Sequence, residues 1–345
     1  MGSSNSIAMV RATGFGDLPD RLERLAGERR LIDTFEREGL PLAVRDMPTT
    51  PMPLRSMIAL FARSSAILDN RTLGLEVGES MRHAGYGLWI AYCTGAPTLG
   101  EALRRAVTTS WAHQVGARLE LAGAGDHVIL RFVTPAVDVA KTTYADHLLP
   151  PMQSLARLYL GSGWRPDWVE VDYARDPHAA RVEERLQVPM RFQRPGSGIA
   201  FRRSELSGRR NLDLSGSVRI VTLRDVLAEA ALASAPEPAR ALSAVVALRL
   251  LDGQSDIEGA ARLVGLGVQG LQRRLRQKGY TYREVVDEAR RARAIRLLLE
   301  TSMTALAIAL SLGYETPASF TRAFARWTGC TPSEFRRAQG VPASG

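Results

Sequence analysis

Two kinds of periodicity alternate along the first two thirds of the chain. Residues 53–70 (PLRSMIALFARSSAILDN) carry apolar side chains at helical spacing. Residues 98–115 open with Thr98 and, three positions on, Glu101, the pattern of a capping box at a helix start. Strict alternation follows. Residues 118–121, a turn at Gly123–Asp126 and residues 127–133 predict a hairpin. Residues 141–160 return to the helical period, 168–173 predict a strand and 177–186 a helix. Residues 190–193 and 199–202, about a Pro195-Gly-Ser-Gly198 turn, predict a second hairpin. Paired hairpins with helices imply an antiparallel sheet with the helices on one side, an α+β domain.

A connector separates this region from the rest. It opens with small and polar residues at Gly208–Asp213 and closes on Ala235-Pro-Glu-Pro238, where the prolines stop a helix. Between them Val218, Val221, Leu223, Val226, Leu227 and Ala230 predict an amphipathic helix. Its apolar face needs a partner, either its own domain or a second subunit. The expected organisation is a disordered tail over 1–25, a folded domain over 26–213, a linker helix over 214–238 and a second domain over 239–340.

The second domain is predicted to be all-α, and it repeats itself. Ala261–Gly265, Leu271–Leu275 and Gly279 return as Ala309–Gly313, Phe320–Phe324 and Gly329, at offsets of 48, 49 and 50 residues. Each copy has the logic of a helix-turn-helix, over about 257–277 and about 304–327. Gly265 and Gly313 end the first helix of each copy, where a left-handed residue suits glycine. Leu271 and Leu275, or Phe320 and Phe324, turn the second helix inward. That leaves Gln269, Gln272 and Arg273 outward in the first copy, and Ala318, Ser319, Thr321 and Arg322 in the second. Arg pairs with guanine, Gln with adenine, and small Ala or Thr can touch a thymine methyl. Arg274, Arg276, Lys278, Ser319 and Arg326 stand where phosphates could be held. The 19 residues of 282–300 between the copies make a helix of about 28 Å. That length matches two heads reading major grooves about 34 Å apart on one face of DNA.

Charge sharpens this picture. The chain carries a net charge of +9, and residues 240–337 hold 16 Arg and Lys against 9 Asp and Glu, or +7 of it. Basic character confined to under a third of the length is the footprint of a polyanion-binding module. With 45% hydrophobic residues the chain can build sizeable cores. No run of 18 apolar residues exists and no apolar stretch opens the chain, so neither a membrane span nor a secretory signal is expected. Two isolated cysteines, Cys93 and Cys330, exclude a disulfide scaffold and fit a reducing cytoplasm.

The stretch 256–337 resembles the double helix-turn-helix domain of the AraC/XylS family of bacterial transcription regulators. The likeness rests on Leu271-Gln-Arg-Arg-Leu275, Arg290–Leu298, Leu312–Trp327 (LGYETPASFTRAFARW) and Gly329–Arg336 (GCTPSEFR). It implies DNA contact through Gln269, Gln272, Arg273, Pro317, Ala318, Thr321 and Arg322. The sequence departs from the family's pattern at Gly267-Val-Gln-Gly270, where Gly270 inside a helix costs about 1 kcal/mol against alanine. Ala307 stands where the family commonly has an acidic residue. Residues 40–213 resemble, through Leu73–Gly78, Gly85–Leu88, Pro97–Leu103 and Val188–Phe192, the ligand-sensing domain of the branch named for arabinose binding. Together these resemblances imply a cytoplasmic transcription activator that binds double-stranded DNA, a small-molecule effector and RNA polymerase, with a homodimer as a further expectation.

Other residues support less. His83, His113, His127, His147 and His178 show no metal-ligand spacing, and no metal or cofactor is expected. Trp89, Tyr92, Trp111 and Tyr144 are candidates for an apolar effector pocket, with core packing as the alternative. Arg290, Arg291 and Arg293 either lie beside phosphate or face solvent. A ligand-independent dimeric regulator is the competing function. An alkyl-transfer repair enzyme, which would need a reactive thiol and a four-cysteine zinc site, is the remote one.

Overall fold

The computed structural model describes residues 7–81, 86–210, 221–223 and 239–338. The chain divides into two compact units, a larger one within Ala8–Ala233 and a smaller one running from Ser234, with which Gly39–Val44 clusters. Of the predicted linker helix, all but residues 221–223 lie outside the described residues.

The larger unit begins earlier than expected. Residues 8–25, read as part of a disordered tail, are folded into it. Strand β1 (Met9–Arg11) pairs antiparallel with β2 (Pro51–Pro53). Helices α1 (Leu18–Ala26) and α2 (Glu28–Arg37) bury Leu18, Leu22, Leu31 and Phe35. Their exposed faces are densely charged, which lowers mean hydropathy and hides an apolar stripe that is nonetheless complete. Helix α3 (Leu54–Leu68) follows the predicted span and buries Leu54, Met57, Ile58, Leu60 and Phe61. Helices α4 (Leu73–Ser80), α5 (Gly87–Thr94) and α6 (Leu99–Thr109) come next. At the start of α6 half of the expected capping box forms. Thr98 Oγ1 accepts the Glu101 N–H at 3.3 Å, while the Glu101 carboxylate turns to Arg104 and Arg105.

The first predicted hairpin is present as β3 (Arg118–Ala124) and β4 (His127–Val133), closed by a two-residue turn in which Gly125 has φ +60°. The 141–160 region is two helices, α7 (Thr142–His147) and α8 (Leu149–Leu160), because Pro150 and Pro151 offer no backbone N–H to continue the first. Three short elements, β5 (Val169–Glu170), α9 (Ala179–Leu186) and β6 (Met190–Arg191), precede β7 (Ser197–Arg202).

The second predicted hairpin does not form. The sheet order is β3-β4-β7-β5-β6, so β7 sits in the interior, antiparallel to both β4 and β5, while β6 pairs parallel with β5 at the edge. Two features put β7 inside. Residues 197–201 are buried throughout. Gly196 and Gly198 lie where any side chain would strike the carbonyls of Phe132 and Leu130. The sheet is therefore mixed rather than wholly antiparallel.

The smaller unit is all helix: α10 (Ala239–Arg249), α11 (Ile257–Leu263), α12 (Val268–Arg276), α13 (Tyr282–Glu300), α14 (Ala305–Ser311), α15 (Pro317–Thr328) and α16 (Pro332–Ala338). Local chemistry fixes most of the boundaries. Asp256, Thr281, Thr304 and Thr316 each cap a helix start through a side-chain oxygen. Gly265, Gly279, Gly313 and Gly329 take positive φ at the turns.

Candidate functional site

The two helix-turn-helix units are built alike. In the first, α11 packs Ala260, Ala261 and Leu263 inward, and Leu271 and Leu275 of α12 are fully buried. In the second, Ile308, Ala309 and Leu312 are buried against Phe320 and Phe324 of α15, with Ala294 and Leu298 of α13 in the same cluster. With these anchors inside, the opposite faces of α12 and α15 look outward.

Gln269 and Arg273 of α12 are exposed, and Gln272 is half-buried. Pro317, Ala318 and Arg322 of α15 are exposed, and Thr321 is half-buried. Arg273 makes no ion pair or hydrogen bond among the described residues. Arg322 has only a long contact, 3.5 Å, to Ser319 Oγ. The two arginines thus occupy matching places on matching helices with their guanidinium groups uncommitted.

The expected phosphate-holding residues differ among themselves. Arg276 and Lys278 are exposed and Arg274 half-buried, all three without a partner among the described residues. The Ser319 hydroxyl accepts from Thr316 at 3.0 Å within the cap of α15. Arg326 is already engaged, its Nη2 lying 3.0 Å from Asp287 Oδ2 on α13.

Three further arginines hold the frame. Arg290, read from sequence as beside phosphate or in solvent, turns inward. Its Nε donates to the Leu312 carbonyl at 2.9 Å, its Nη2 reaches Ser255 Oγ at 3.0 Å, and its guanidinium lies 4.6 Å above the Tyr314 ring. Arg336 donates to the carbonyls of Leu298, Thr301 and Met303 at the end of α13. Arg249, 6% exposed, donates to the backbone and the carboxylate of Asp256, both at 2.6 Å. Arg291 pairs with Glu288, and burial beside Arg296 lowers the pKa of the half-buried Arg293. Part of the unit's positive charge is therefore structural, a distinction that sequence spacing alone could not supply.

The larger unit contains an apolar cavity of about 120 Å³. Of the four aromatic candidates, Trp89 and Tyr144 line it. Tyr92 does not; it lies under the Arg105 guanidinium at 4.7 Å. Trp111 does not either; it is 56% exposed, with its indole N–H bonded to the Thr108 carbonyl. The structure adds Arg11, Tyr86, His113 and His147 to the wall. His147 stands three residues after Tyr144 on α7, a spacing that places both on one helix face and was the available signal.

Both histidines of the wall are neutral. His113 stacks on Trp89 at 4.7 Å, and burial, aided by the nearby Arg11 charge, pushes its pKa down to about 3. Its Nδ1 is buried without a partner among the described residues. Burial likewise pushes His147 down to about 4. Its Nδ1 lies 2.8 Å from the Tyr144 carbonyl, an acceptor only, so Nδ1 carries the proton and Nε2 presents a lone pair. Burial raises the Cys93 thiol to about 12, the behaviour of a packing residue rather than a nucleophile. Among the described residues no group of His, Cys, Asp or Glu is arranged to hold a metal, and no helix is long and apolar enough to cross a membrane.

Comparison with known proteins follows the same division. Residues 31–209 match the arabinose-binding domain of AraC transcription regulators, N-terminal, and residues 260–338 match a helix-turn-helix domain. The chain is 26% identical over 307 residues to the ornithine utilization regulator of Pseudomonas aeruginosa, covering 88% of this chain and 90% of that one. It is 46% identical over 76 residues to the transcriptional regulator VqsM of the same organism, covering 22% of this chain and 23% of that one. The crystal structure of the transcriptional regulator CdpR from Pseudomonas aeruginosa covers 90% of this chain and 97% of its own at 22% identity, with a TM-score of 0.36.

Proposed function

Because this chain belongs to the AraC family of transcription regulators and binds DNA through its helix-turn-helix domain, we propose that it is a one-component, effector-controlled activator. In this reading α12 and α15 each enter a major groove. Gln269, Gln272 and Arg273 read one site, and Pro317, Ala318, Thr321 and Arg322 read the other. Arg274, Arg276, Lys278, Ser319 and Arg326 hold phosphates, which supply salt-sensitive affinity without sequence information.

The observation that carries this reading is the pair of uncommitted guanidinium groups, Arg273 and Arg322, at equivalent places on two helices built alike. A free, exposed arginine on a helix whose other face is fully buried suits bidentate recognition of guanine. The larger unit holds the effector in its cavity, and occupancy shifts the balance between conformations that differ in affinity for DNA or polymerase. The protein works in the cytoplasm, as a homodimer, on RNA polymerase at its promoter.

The name of the domain raises a sugar as effector, and that of the Pseudomonas relative raises an amino acid. Footprinting of the purified protein on genomic fragments tests the DNA half of the reading. Protection of two segments about one helical turn apart, lost in a double Arg273→Ala, Arg322→Ala variant, is the expected result. Unchanged protection by that variant would remove the base-contact assignment. Identical promoter output with and without every candidate effector would instead favour a ligand-independent regulator.

A further inference from the structure

The wall of the cavity discriminates between kinds of effector. Val10, Met57, Leu119, Leu130, Phe132 and Leu155 supply much of it. Among the described residues no aspartate or glutamate lines it, and Arg11 is the one charged side chain there. An ammonium group bound in such a place would be desolvated with no counter-charge, which ordinarily excludes it. A sugar would bring several hydroxyls, each needing a partner once out of water. Besides Arg11, the polar side chains of the wall are Tyr86, whose hydroxyl lies 3.4 Å from Met81 Sδ, and Trp89, His113, Gln114, Tyr144 and His147. Trp89 has spent its N–H on Thr109 Oγ1 at 3.0 Å. The Tyr144 hydroxyl and His147 Nε2 make no hydrogen bond among the described residues, although both side chains are buried. At about 120 Å³ the room approaches that of the engineered ~150 Å³ apolar cavity that takes up benzene.

We propose that this cavity takes a compact, mainly apolar molecule about one aromatic ring in size, with a single O–H or N–H head group. The ring fills the space among the aliphatic side chains. The head group donates to His147 Nε2 and exchanges a hydrogen bond with the Tyr144 hydroxyl. A carboxylate head group at this position is disfavoured, because it would set its lone pairs against that of Nε2, and the Arg11 guanidinium elsewhere on the wall is not free to pair with it. An amino acid is disfavoured by its unpaired ammonium, and a sugar by the aliphatic side chains that make up most of the wall. This assignment deepens the effector-controlled reading and rests on it.

The test uses the full-length protein with p-cresol and benzyl alcohol, against benzoate, L-arabinose and L-ornithine. Thermal shift and the intrinsic fluorescence of the tryptophans, which include Trp89, report binding. The expected result is saturable binding of p-cresol and benzyl alcohol, at least tenfold tighter than benzoate, with no effect of the sugar or the amino acid. Tyr144→Phe should weaken p-cresol about tenfold while leaving the unliganded melting temperature within a degree or two. Ala106→Phe, which fills the cavity from α6, should abolish binding; Tyr144→Phe keeps the test decisive if that variant fails to fold. Binding of L-arabinose or L-ornithine without p-cresol, no binding of either aromatic probe, or full affinity in Tyr144→Phe would overturn the assignment. Tight p-cresol binding that leaves promoter-fragment affinity and transcription unchanged would uphold the cavity's chemistry and refute effector control.

Discussion

Arg290 Nε donates to the carbonyl of Leu312 at 2.9 Å, so the middle of the connecting helix holds the last turn of the second unit's first helix. The same guanidinium reaches Ser255, just ahead of the first unit. One side chain therefore ties both readers to the helix that spaces them. Arg290→Ala should lower stability by about 1.5–3 kcal/mol, the range for hydrogen bonds from a charged group. Arg290→Lys should recover little of it, because an ammonium cannot serve separated acceptors with a planar fork. Urea denaturation of the three proteins checks this. Wild-type stability in Arg290→Ala would show the contact to be incidental.

Arg273→Ala and Arg322→Ala should each weaken binding to a specific site by about 1–3 kcal/mol and relax the sequence preference at one position. Arg326→Ala should do less, under about 1 kcal/mol, because its guanidinium is already shared with Asp287 at an exposed pair. Gel shifts at two salt concentrations separate the roles. Loss of a phosphate contact lowers the salt slope by about one, while loss of a base contact changes the ranking of mutated sites.

Two glycines in the readers should respond with opposite sign. Gly270 lies inside α12 at ordinary helical φ, and a methyl group there would meet nothing within 4 Å. Gly270→Ala should therefore stabilise the protein by about 1 kcal/mol. Gly313 has φ +74°, and a side chain there would strike the Gly253 carbonyl. Gly313→Ala should destabilise by more than about 1 kcal/mol. Melting temperatures of the two variants moving in the same direction would contradict the geometry.

Acid should weaken the fold through the cavity wall. His147 and His113 have native pKa values near 4 and 3, below the ordinary 6.5. Between about pH 6.5 and those values the unfolded chain binds protons that the native state refuses, so stability falls as pH falls. Each histidine contributes up to about 1.4 kcal/mol per pH unit across its window. Buried Asp146, raised by desolvation to about 6, opposes part of this, because it gains a proton in the native state first. Denaturation midpoints between pH 7 and 5 should drop, and His147→Gln should flatten the slope.

How much of this was legible in the sequence follows from how local each determinant is. The two readers were readable because their boundaries are set within a few residues, by Thr316 and Pro317 at one end of α15 and Gly329 at the other. Thr281 and Glu284 likewise announce α13 in four letters. The place of β7 was not readable, since it depends on partners, β4 and β5, tens of residues away, and β5 and β6 are only two residues long. Among the aromatic residues, Trp89 faces the cavity and Trp111 faces solvent. Residue type alone does not report which way a ring points. Arg290 and Arg322 show the same limit for charge: identical in kind, one is a frame member and the other is free.

Arg249 fixes where a working fragment of this protein has to start. Its guanidinium sits against Gly259, in space that any side chain there would claim, and grips the cap residue Asp256. The first reader is thus seated on α10, upstream of the repeat that defines it. A fragment cut to the repeat alone, from residue 256 onward, keeps the ties of the second reader to α13 but strips the first of its seat. Such a fragment should bind DNA with one hand only, however complete its helix-turn-helix motifs look on paper.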